Sequence, residues 1–381
     1  TDPFMGTLSI FKILGGELTA GQAIKNGNTG KSEKFGQIYV MSGKKQVSVD
    51  KLTAGDIGAL AKLQHTTTGS TLCDESKPVV FPDLEFPEPC ISLAVTAKKQ
   101  GEEEKVFAGL NRLAEEDPSF RIEKSSETSD TLVSGLGELH LEVICRKLQN
   151  KFGVEAQLSD PQIPYRETIR KKVQAHGRHK KQSGGHGQFG DVHIEFEPIL
   201  DSDENFEFVD KVVGGAVPRQ YIPAVEKGLR ESITKGVLAG YPMVKLRATL
   251  FDGSSHPVDS SEMAFKIAAN LAYKQGCTQA NPVLLEPIYR LEVTIPDEYM
   301  GDVIGDINRR RGRILGMNPV GGIQQVVAEV PLAEVFKYAT DLRSMTQARG
   351  SFKMFFERYE ELPGNLAEKV IAQAKKDAEE E

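Results

Sequence analysis

The sequence has no tryptophan, few cysteines and no long apolar run. The four cysteines are scattered without a C-x-x-C pair: Cys73, Cys90, Cys145 and Cys277. This spacing favours reduced thiols over disulfide bridges or a zinc site. No apolar stretch approaches the ~20 residues of a membrane-spanning helix, and the first residues lack a signal-peptide pattern. These absences favour a cytoplasmic protein, and the start at Thr1 without a methionine suggests a fragment of a longer one.

Two glycine motifs come close to a nucleotide-binding loop, and both fail. Gly30-Lys31-Ser32 ends like a P-loop, but Lys25 occupies the position of the earlier glycine that lets backbone amides wrap the phosphates. The run from Gly185 to Gly190 spells G-x-G-x-x-G. It lacks the buried strand before it and the helix after it that a dinucleotide site requires. The sequence therefore predicts no nucleotide cofactor and no enzymatic activity in the chain as given.

Charge is distributed unevenly along the chain. The net charge is −7, but between Arg166 and Lys181 seven Lys or Arg stand against the single acid Glu167, a local charge of +6 that leaves −13 elsewhere. This basic segment leads into the glycine-rich run Ser183–Gly190. Local basic charge on an acidic protein is typical of a surface that docks an extended polyanion. The segment alone leaves open a flexible hairpin loop with a solvated charged flank.

Histidines in the same segment raise the question of a metal site. His176 and His179 have the spacing H-x-x-H. The intervening Gly177 and the neighbouring cations disfavour metal binding there. No metal site is predicted.

Periodicity divides the chain into domains. Short β-like runs separated by Gly, Asn and Lys turns predict a β-barrel over residues 1–76. Residues 88–160 show the order βαββαβ, the ferredoxin-like arrangement, and residues 283–363 repeat it. An α+β domain, residues 161–282, lies between them. The sequence thus predicts a multidomain α+β protein.

The middle domain contains a loop with a histidine just before a helix. His256 stands in that loop, and a lone loop histidine is usually only a surface residue. Asp259 and Glu262 have the spacing of a capping box for the helix, whose far end is predicted at Gly276. Capping alone explains both acids. The tail, residues 364–381, is predicted to be a charged helix that frays.

Long segments throughout the chain resemble bacterial elongation factor G, in the order of that family. They are Arg112–Pro118, Gly135–Glu142, Ser183–Val192, Val213–Gly215, Tyr221–Val225, Asp252–Phe265, Tyr299–Asp306 and Ala339–Ser344. The resemblance covers essentially all 381 residues. The motifs are too long for chance to explain them.

The resemblance implies a layout that agrees with the periodicity. Residues 1–76 correspond to the second domain of the family, with its first strand missing, and residues 88–160 to the third. Residues 161–282 correspond to the fourth, which is like the second domain of a ribosomal protein, and residues 283–363 to the fifth. The family's first domain, a GTPase that binds GTP and Mg²⁺, is absent. The family acts as a monomer in the cytoplasm, where it uses GTP to move tRNA and messenger RNA on the ribosome.

The resemblance also assigns site residues. In this family the tip loops of the fourth domain hold the tRNA–mRNA duplex. One loop corresponds to Ser183, Gly184, Gly185, His186, Gly187, Gln188, Phe189 and Gly190, and His256 matches the functional histidine of the other. Glycines allow a loop to approach an RNA backbone, and a histidine can donate to RNA whether neutral or charged. A contact is therefore expected at His256, without acid–base catalysis.

Four arginines follow a predicted helix in the last domain: Arg309, Arg310, Arg311 and Arg313. Cations at a helix C-terminus can simply complement the helix dipole. Four exceed that need, so contact with ribosomal RNA is predicted.

The sequence departs from the family in two places. Lys171–Lys181 is unusually rich in His and Lys, and Phe189 stands where tyrosine is common. These departures suggest a divergent paralogue. Ribosome recycling, ribosome protection and a stand-alone RNA-binding role without a GTPase remain alternatives to translocation.

Overall fold

The computed structural model describes residues 6–43, 45–125, 127–128, 130–182 and 187–380. Contacts divide the chain into two units: Thr1–Gln162 with Phe336–Ala348, and Ile163–Val335 with Arg349–Glu381. Among the described helices, none combines the length and apolar character that crossing a membrane demands.

The first unit begins with short strands. They are β1 (Leu8–Lys12), β2 (Glu17–Thr19), β3 (Ile24–Asn26), β4 (Ser32–Glu33), β5 (Ile38–Ser42), β6 (Lys45–Val49), β7 (Lys51–Thr53), β8 (Ile57–Ala61) and β9 (Leu72–Cys73). They pair as β1-β8-β5-β6, β4-β3-β9 and β2-β7. Ile38 and Leu60 are fully buried where β5 meets β8. Successive side chains on a strand point to opposite faces, and the inward-facing ones form the core that the sequence pattern predicted.

A ferredoxin-like module follows in the same unit. Its elements are β10 (Ile91–Ala97), α1 (Glu103–Glu116), β11 (Arg121–Lys124), β12 (Thr131–Gly135), α2 (Glu138–Phe152) and β13 (Ala156–Ser159). The sheet order is β11-β12-β10-β13. Leu141, Ile144 and Leu148 form the buried stripe of α2, and Gly153 ends it in the left-handed region at φ 70°. The predicted βαββαβ order and helix cap are confirmed.

The second unit contains the sheet that carries the candidate site. The unit begins with the elements β14 (Arg166–Ile169), β15 (Val173–Lys181), β16 (Gln188–Pro198), β17 (Phe206–Asp210), α3 (Ile222–Ser232), β18 (Leu246–Ser254) and α4 (Glu262–Gln279). The sheet order is β15-β16-β18-β17, with β17 and β18 parallel and the other pairs antiparallel. Residues from α3, α4 and the strands share one buried core.

The last part of the chain repeats the ferredoxin-like order. The elements are β19 (Pro282–Ile295), α5 (Met300–Arg309), β20 (Arg313–Val320), β21 (Ile323–Pro331), α6 (Tyr338–Met345), β22 (Ser351–Glu361) and α7 (Gly364–Glu380). Strand β14 joins this sheet beside β19, and β22 also pairs with β19. By its contacts α6 groups with the first unit. The predicted multidomain α+β class is confirmed.

Small residues let α4 lie very close to the β15–β16 hairpin. Ala264, Ala268 and Ala272 are fully buried on the strand-facing side of α4. A Cβ atom on Gly177 of β15 would lie 2.0 Å from the carbonyl oxygen of Ala268, which is an impossible contact. The sheet can therefore carry only glycine at this position while the helix keeps its place.

Two helix ends differ from the sequence prediction. Gly276 lies inside α4, because the chain continues as helix to Gln279 while Gly276 packs closely under the ring of Phe196. The tail is not a frayed, solvated helix: Leu366, Val370 and Ile371 of α7 pack against the core of the second unit. From the sequence alone, a glycine that close packing requires cannot be distinguished from a glycine that ends a helix.

A buried carboxylate links the strands of the C-terminal sheet. The two carboxylate oxygens of Glu329 accept hydrogen bonds from the Arg358 guanidinium at 2.7 and 2.7 Å, and Arg313 lies 2.5 Å from one of them. Arg358 first, and then Arg313, lower the pKa of Glu329 from 4.5 to about 2, against the opposing effect of burial. The ionised form is therefore favoured by folding.

This shift predicts a specific pH dependence of stability. Between the usual pKa of 4.5 and the folded value of about 2, the unfolded chain binds a proton at Glu329 that the folded chain does not. The free energy of unfolding should therefore fall as pH falls through that window. Glu329→Gln should be less stable at neutral pH and should show a flatter decline. Urea unfolding at several pH values measures both effects; the exposed Glu17→Gln is the control, and an unchanged pH slope in Glu329→Gln would contradict this assignment.

Candidate nucleic-acid interface

The basic segment forms one strand of a long hairpin. Strands β15 and β16 pair antiparallel with Lys181 opposite Gln188, so the glycine-rich run forms their connection. Four predicted site residues, Ser183, Gly184, Gly185 and His186, lie outside the described residues. Of the other four, Gly187 immediately precedes the returning strand, and Gln188, Phe189 and Gly190 begin it.

The loop of His256 lies directly against this hairpin end. The Phe189 amide donates to the carbonyl oxygen of Asp259 at 2.8 Å, and the Gly187 amide donates to the Asp259 carboxylate at 3.0 Å. The rings of Phe189 and His256 have centroids 6.2 Å apart. The structure thus brings the two predicted loops together in one surface, residues 187–190 and 256–261, which we call the tip.

His256 is held by its own loop. Its Nδ1 accepts from the amides of Val258 and Asp259 at 3.4 and 3.2 Å, and its amide donates to the Ser260 hydroxyl at 2.8 Å. The Asp259 carboxylate is 3.3 Å from the same Nδ1, and the side chain of His256 is 50% exposed. A neutral ring that accepts at Nδ1 carries its proton on Nε2. The loop therefore fixes the orientation of the His256 ring.

The capping box predicted at Asp259 and Glu262 is wrong. The N-cap of α4 is Ser261, whose side chain accepts from the Ala264 amide at 3.2 Å. Asp259 lies two residues too early to cap the helix, and its carboxylate is used across the tip by Gly187. Sequence spacing suggested a local role for an acid that makes a tertiary hydrogen bond.

Two glycines of the tip lie close to their neighbours, Gly187 against a side chain and Gly190 against the backbone of α4. A Cβ atom on Gly187 would lie 2.9 Å from the Asp259 carboxylate, and one on Gly190 would lie 2.5 Å from the Ala264 carbonyl oxygen. Gly190 thus continues the contact that Gly177 begins, which seats the first turn of α4 on the hairpin. The predicted reason for these glycines was access to RNA; the structure adds that they hold the two loops together.

The positive charge near the tip is partly neutralised along the strand. Lys172 pairs with Glu195 and Glu197 at 2.6 and 3.1 Å, far from the loop. Lys180 and Lys181 are exposed beside the loop. Arg178, which the sequence did not single out, places its guanidinium 5.6 Å from the centroid of the Phe189 ring. Arg178, Lys180 and Lys181 are therefore cationic groups next to the tip. Lys172 lies at the other end of the hairpin, where salt bridges to two glutamates offset its charge.

The four predicted arginines of the last domain fall into two classes. Arg309 and Arg313 have side chains 80% and 67% exposed. Arg310, only 15% exposed, bonds Asp306 at 2.6 Å and the Glu334 carbonyl oxygen at 2.7 Å.

Arg311 is the most constrained of the four. Its backbone is left-handed at φ 58°, and its guanidinium binds both carboxylate oxygens of Glu286 at 2.8 Å each and Glu334 at 3.0 Å. Glu286 is 4% exposed. Hydrogen bonds to these carboxylates raise the pKa of Arg311. RNA contact by this cluster stays a prediction, and the geometry limits its exposed charge to Arg309 and Arg313.

Comparisons with known proteins agree on one family. Four family models match: Elongation factor G domain 2 over residues 1–75, Elongation Factor G domain III over 86–160, Elongation factor G domain IV over 161–281 and Elongation factor G C-terminus over 283–370. None of these four is a GTPase domain. A crystal structure of a protein from Thermus thermophilus is similar with a TM-score of 0.84 and 40% identity, over 98% of this chain and 56% of that one. The chain thus spans little more than half the length of that relative.

The packing role of Gly190 can be tested directly. Gly190→Ala should lower the free energy of unfolding by about 2 kcal/mol, because its methyl group would meet the backbone of α4 and force the helix outward. Gly305→Ala, in the interior of α5 with open space around it, is the matched control and should be neutral or gain up to about 1 kcal/mol. Urea unfolding compares the two. If both variants were equally stable, the packing role of Gly190 would be contradicted, and only a role at the surface of the tip would remain.

Proposed function

The chain belongs to the elongation factor G family, and from that membership we propose that it is the ribosome-binding portion of a factor that promotes GTP-dependent movement of tRNA and messenger RNA. Its domain architecture is that of a translation elongation factor. GTP and Mg²⁺ would act in a GTPase domain of the full-length factor, outside the four matched domains. The substrates and partners are the ribosome, tRNA and messenger RNA.

The observation that carries the proposal is the joined tip. An RNA backbone offers phosphate oxygens and 2′-hydroxyls, which are recognised by amides, histidine and cationic side chains brought close together. The tip supplies a fixed donor at His256, and Lys180 and Lys181 stand beside it on the hairpin. It sits on a packed sheet and helix, so its donors keep their spacing when RNA approaches.

A second role within the same binding mode is consistent with the basic stem of the hairpin. The strand leading to the tip carries Lys180, Lys181 and His179. His179 is held by Gln188 of the opposite strand, with 2.9 Å between its Nε2 and the Gln188 Oε1. A basic stem suits contact with ribosomal RNA in ribosome recycling or protection as well as in translocation.

Replacing His256 separates the two activities expected of the full-length factor. His256→Ala in this chain joined to its GTPase domain should slow messenger RNA movement about ten-fold, the effect of losing one hydrogen bond to a charged group. GTP hydrolysis on the ribosome should stay near wild type, because the tip lies outside the GTPase domain. Stopped-flow measurements of labelled messenger RNA and of phosphate release follow the two steps.

The matched control is His65→Ala, in the barrel. An equal loss of movement and hydrolysis in His256→Ala would contradict the proposal. A large fall in its melting temperature would show that His256 is structural, because the ring accepts two backbone amides.

The arginine cluster predicts two different phenotypes. Arg309→Ala should weaken ribosome binding and lower the log–log salt slope by up to about one, with little change in melting temperature, because the Arg309 side chain is 80% exposed. Arg311→Ala should instead destabilise the chain by ~3 kcal/mol, because it leaves the buried Glu286 carboxylate without its bidentate partner. Ribosome pelleting at several salt concentrations and thermal unfolding distinguish them. An unchanged salt slope in Arg309→Ala would return Arg309 to a solvated helix end.

A further inference from the structure

A cluster of possible metal ligands lies on the open face of the sheet that carries the tip. His176 of β15 and His193 of β16 are directly opposite each other across the two strands. Asp191 stands two residues before His193 and so points to the same face. Ala175, Val192 and Ile194 point to the buried side, which places the three polar groups away from α4. The hydrophobic core therefore leaves this cluster on the outer face.

The ligand atoms of this cluster are already close together. His176 Nε2 is 2.5 Å from an oxygen of Asp191, and the imidazole rings of His176 and His193 are stacked with centroids 4.2 Å apart and planes 2° from parallel. One ligand atom from each of His176, Asp191 and His193 lies within 4.8 Å of the others. Ligands on a tetrahedral zinc ion, with bonds of about 2 Å, are separated by roughly 3.3 Å. Rotation of the two imidazoles out of their parallel stack would direct a nitrogen of each ring, with the Asp191 carboxylate, toward one ion.

Asp191 is oriented by a group that is not itself a ligand. The Ser254 hydroxyl, from β18, donates to the second oxygen of Asp191 at 2.6 Å. The Asp191 side chain is 13% exposed, against 44% for His176. Hydrogen bonds of this kind hold a carboxylate in place for metal binding. The opposite residue on β15, Arg178, directs its guanidinium over the Phe189 ring.

The alternative to a metal site is a hydrogen-bonded His–Asp pair with a second histidine stacked on it. Such a pair needs neither the second imidazole within reach of the carboxylate nor the serine that orients it. Two imidazoles and one carboxylate together match the ligands that borderline divalent ions take, whereas Mg²⁺ and Ca²⁺ prefer oxygen alone.

We propose that His176, Asp191 and His193 bind a divalent transition-metal cation such as Zn²⁺. The ion joins β15 to β16, and Ser254 connects the site to β18. Its remaining coordination positions face solvent or a ligand atom of a bound partner. The bound ion would stiffen the hairpin whose end forms the tip, at a distance along the strands from the residues that would touch RNA.

The test uses the tag-free chain, treated with a chelator and dialysed. Zn²⁺ titrated in competition with a chromophoric chelator should show one site, and Zn²⁺ should raise the melting temperature. His193→Ala and Asp191→Asn should each weaken binding by at least ten-fold and abolish the thermal shift. His179→Ala, the neighbouring histidine on the same strand, is the matched control and should bind as the wild type does.

A second measurement keeps the test independent of folding and of the cysteines. Co²⁺ at the proposed site should give visible ligand-field bands without the strong near-ultraviolet band of thiolate ligation. His176→Gln preserves a polar side chain of similar length and should lose these bands while its circular dichroism matches the wild type. Binding that survives in His193→Ala, a thiolate band, or absence of Zn²⁺ binding would each overturn the proposal.

Discussion

The close approach of α4 to the β15–β16 hairpin is the constraint on which the functional end of the second unit depends. Gly177 and Gly190 leave no room for a side chain beneath Ala268 and Ala264. With the helix seated there, the loop before its N-terminal turn lies beside Phe189. The hydrogen bonds from Gly187 and Phe189 to Asp259 then close the tip. The placement of His256 follows from backbone packing, and the side chains of the loop refine it.

This constraint explains which parts could be predicted from the sequence. The stripe of Leu141, Ile144 and Leu148 on α2 repeats with the helix period, so periodicity alone identifies the helix and the ferredoxin-like order around it. The meeting of Phe189 with His256 joins residues far apart in the chain, and only the family resemblance suggested it. Asp259 shows the limit of local rules, because its spacing fits a cap and its actual partner is on another strand. Sequence spacing links His176 to His179 in an H-x-x-H motif, but the histidine that stacks on His176 is His193, which strand register places opposite it.

The arginine cluster shows a similar limit in electrostatics. Four closely spaced arginines in the sequence predict one basic surface. The fold brings the acids Asp306, Glu286 and Glu334 to Arg310 and Arg311, and Glu329 to Arg313, so three of the four cations serve internal ion pairs. The left-handed backbone of Arg311 aims its guanidinium inward, an arrangement that composition cannot reveal. Counting charges along a chain therefore overestimates the charge that a polyanion would meet.

The proposed contact of the tip with an RNA duplex would need stiffness as well as donors. Glycine-rich loops are intrinsically mobile, because glycine loses more conformational entropy on ordering than any other residue. The described part of the tip offsets this with three anchors of different kinds: backbone contact with α4, amide donation to Asp259 and the Phe189–His256 ring contact. The contact with α4 acts on the strand, the hydrogen bonds to Asp259 act on the loop junction, and the ring contact acts on side chains. A substitution that removes one of these anchors therefore leaves the others in place. Activity should therefore respond gradually to changes at side-chain anchors and sharply to changes at Gly190, where the backbone itself would have to move.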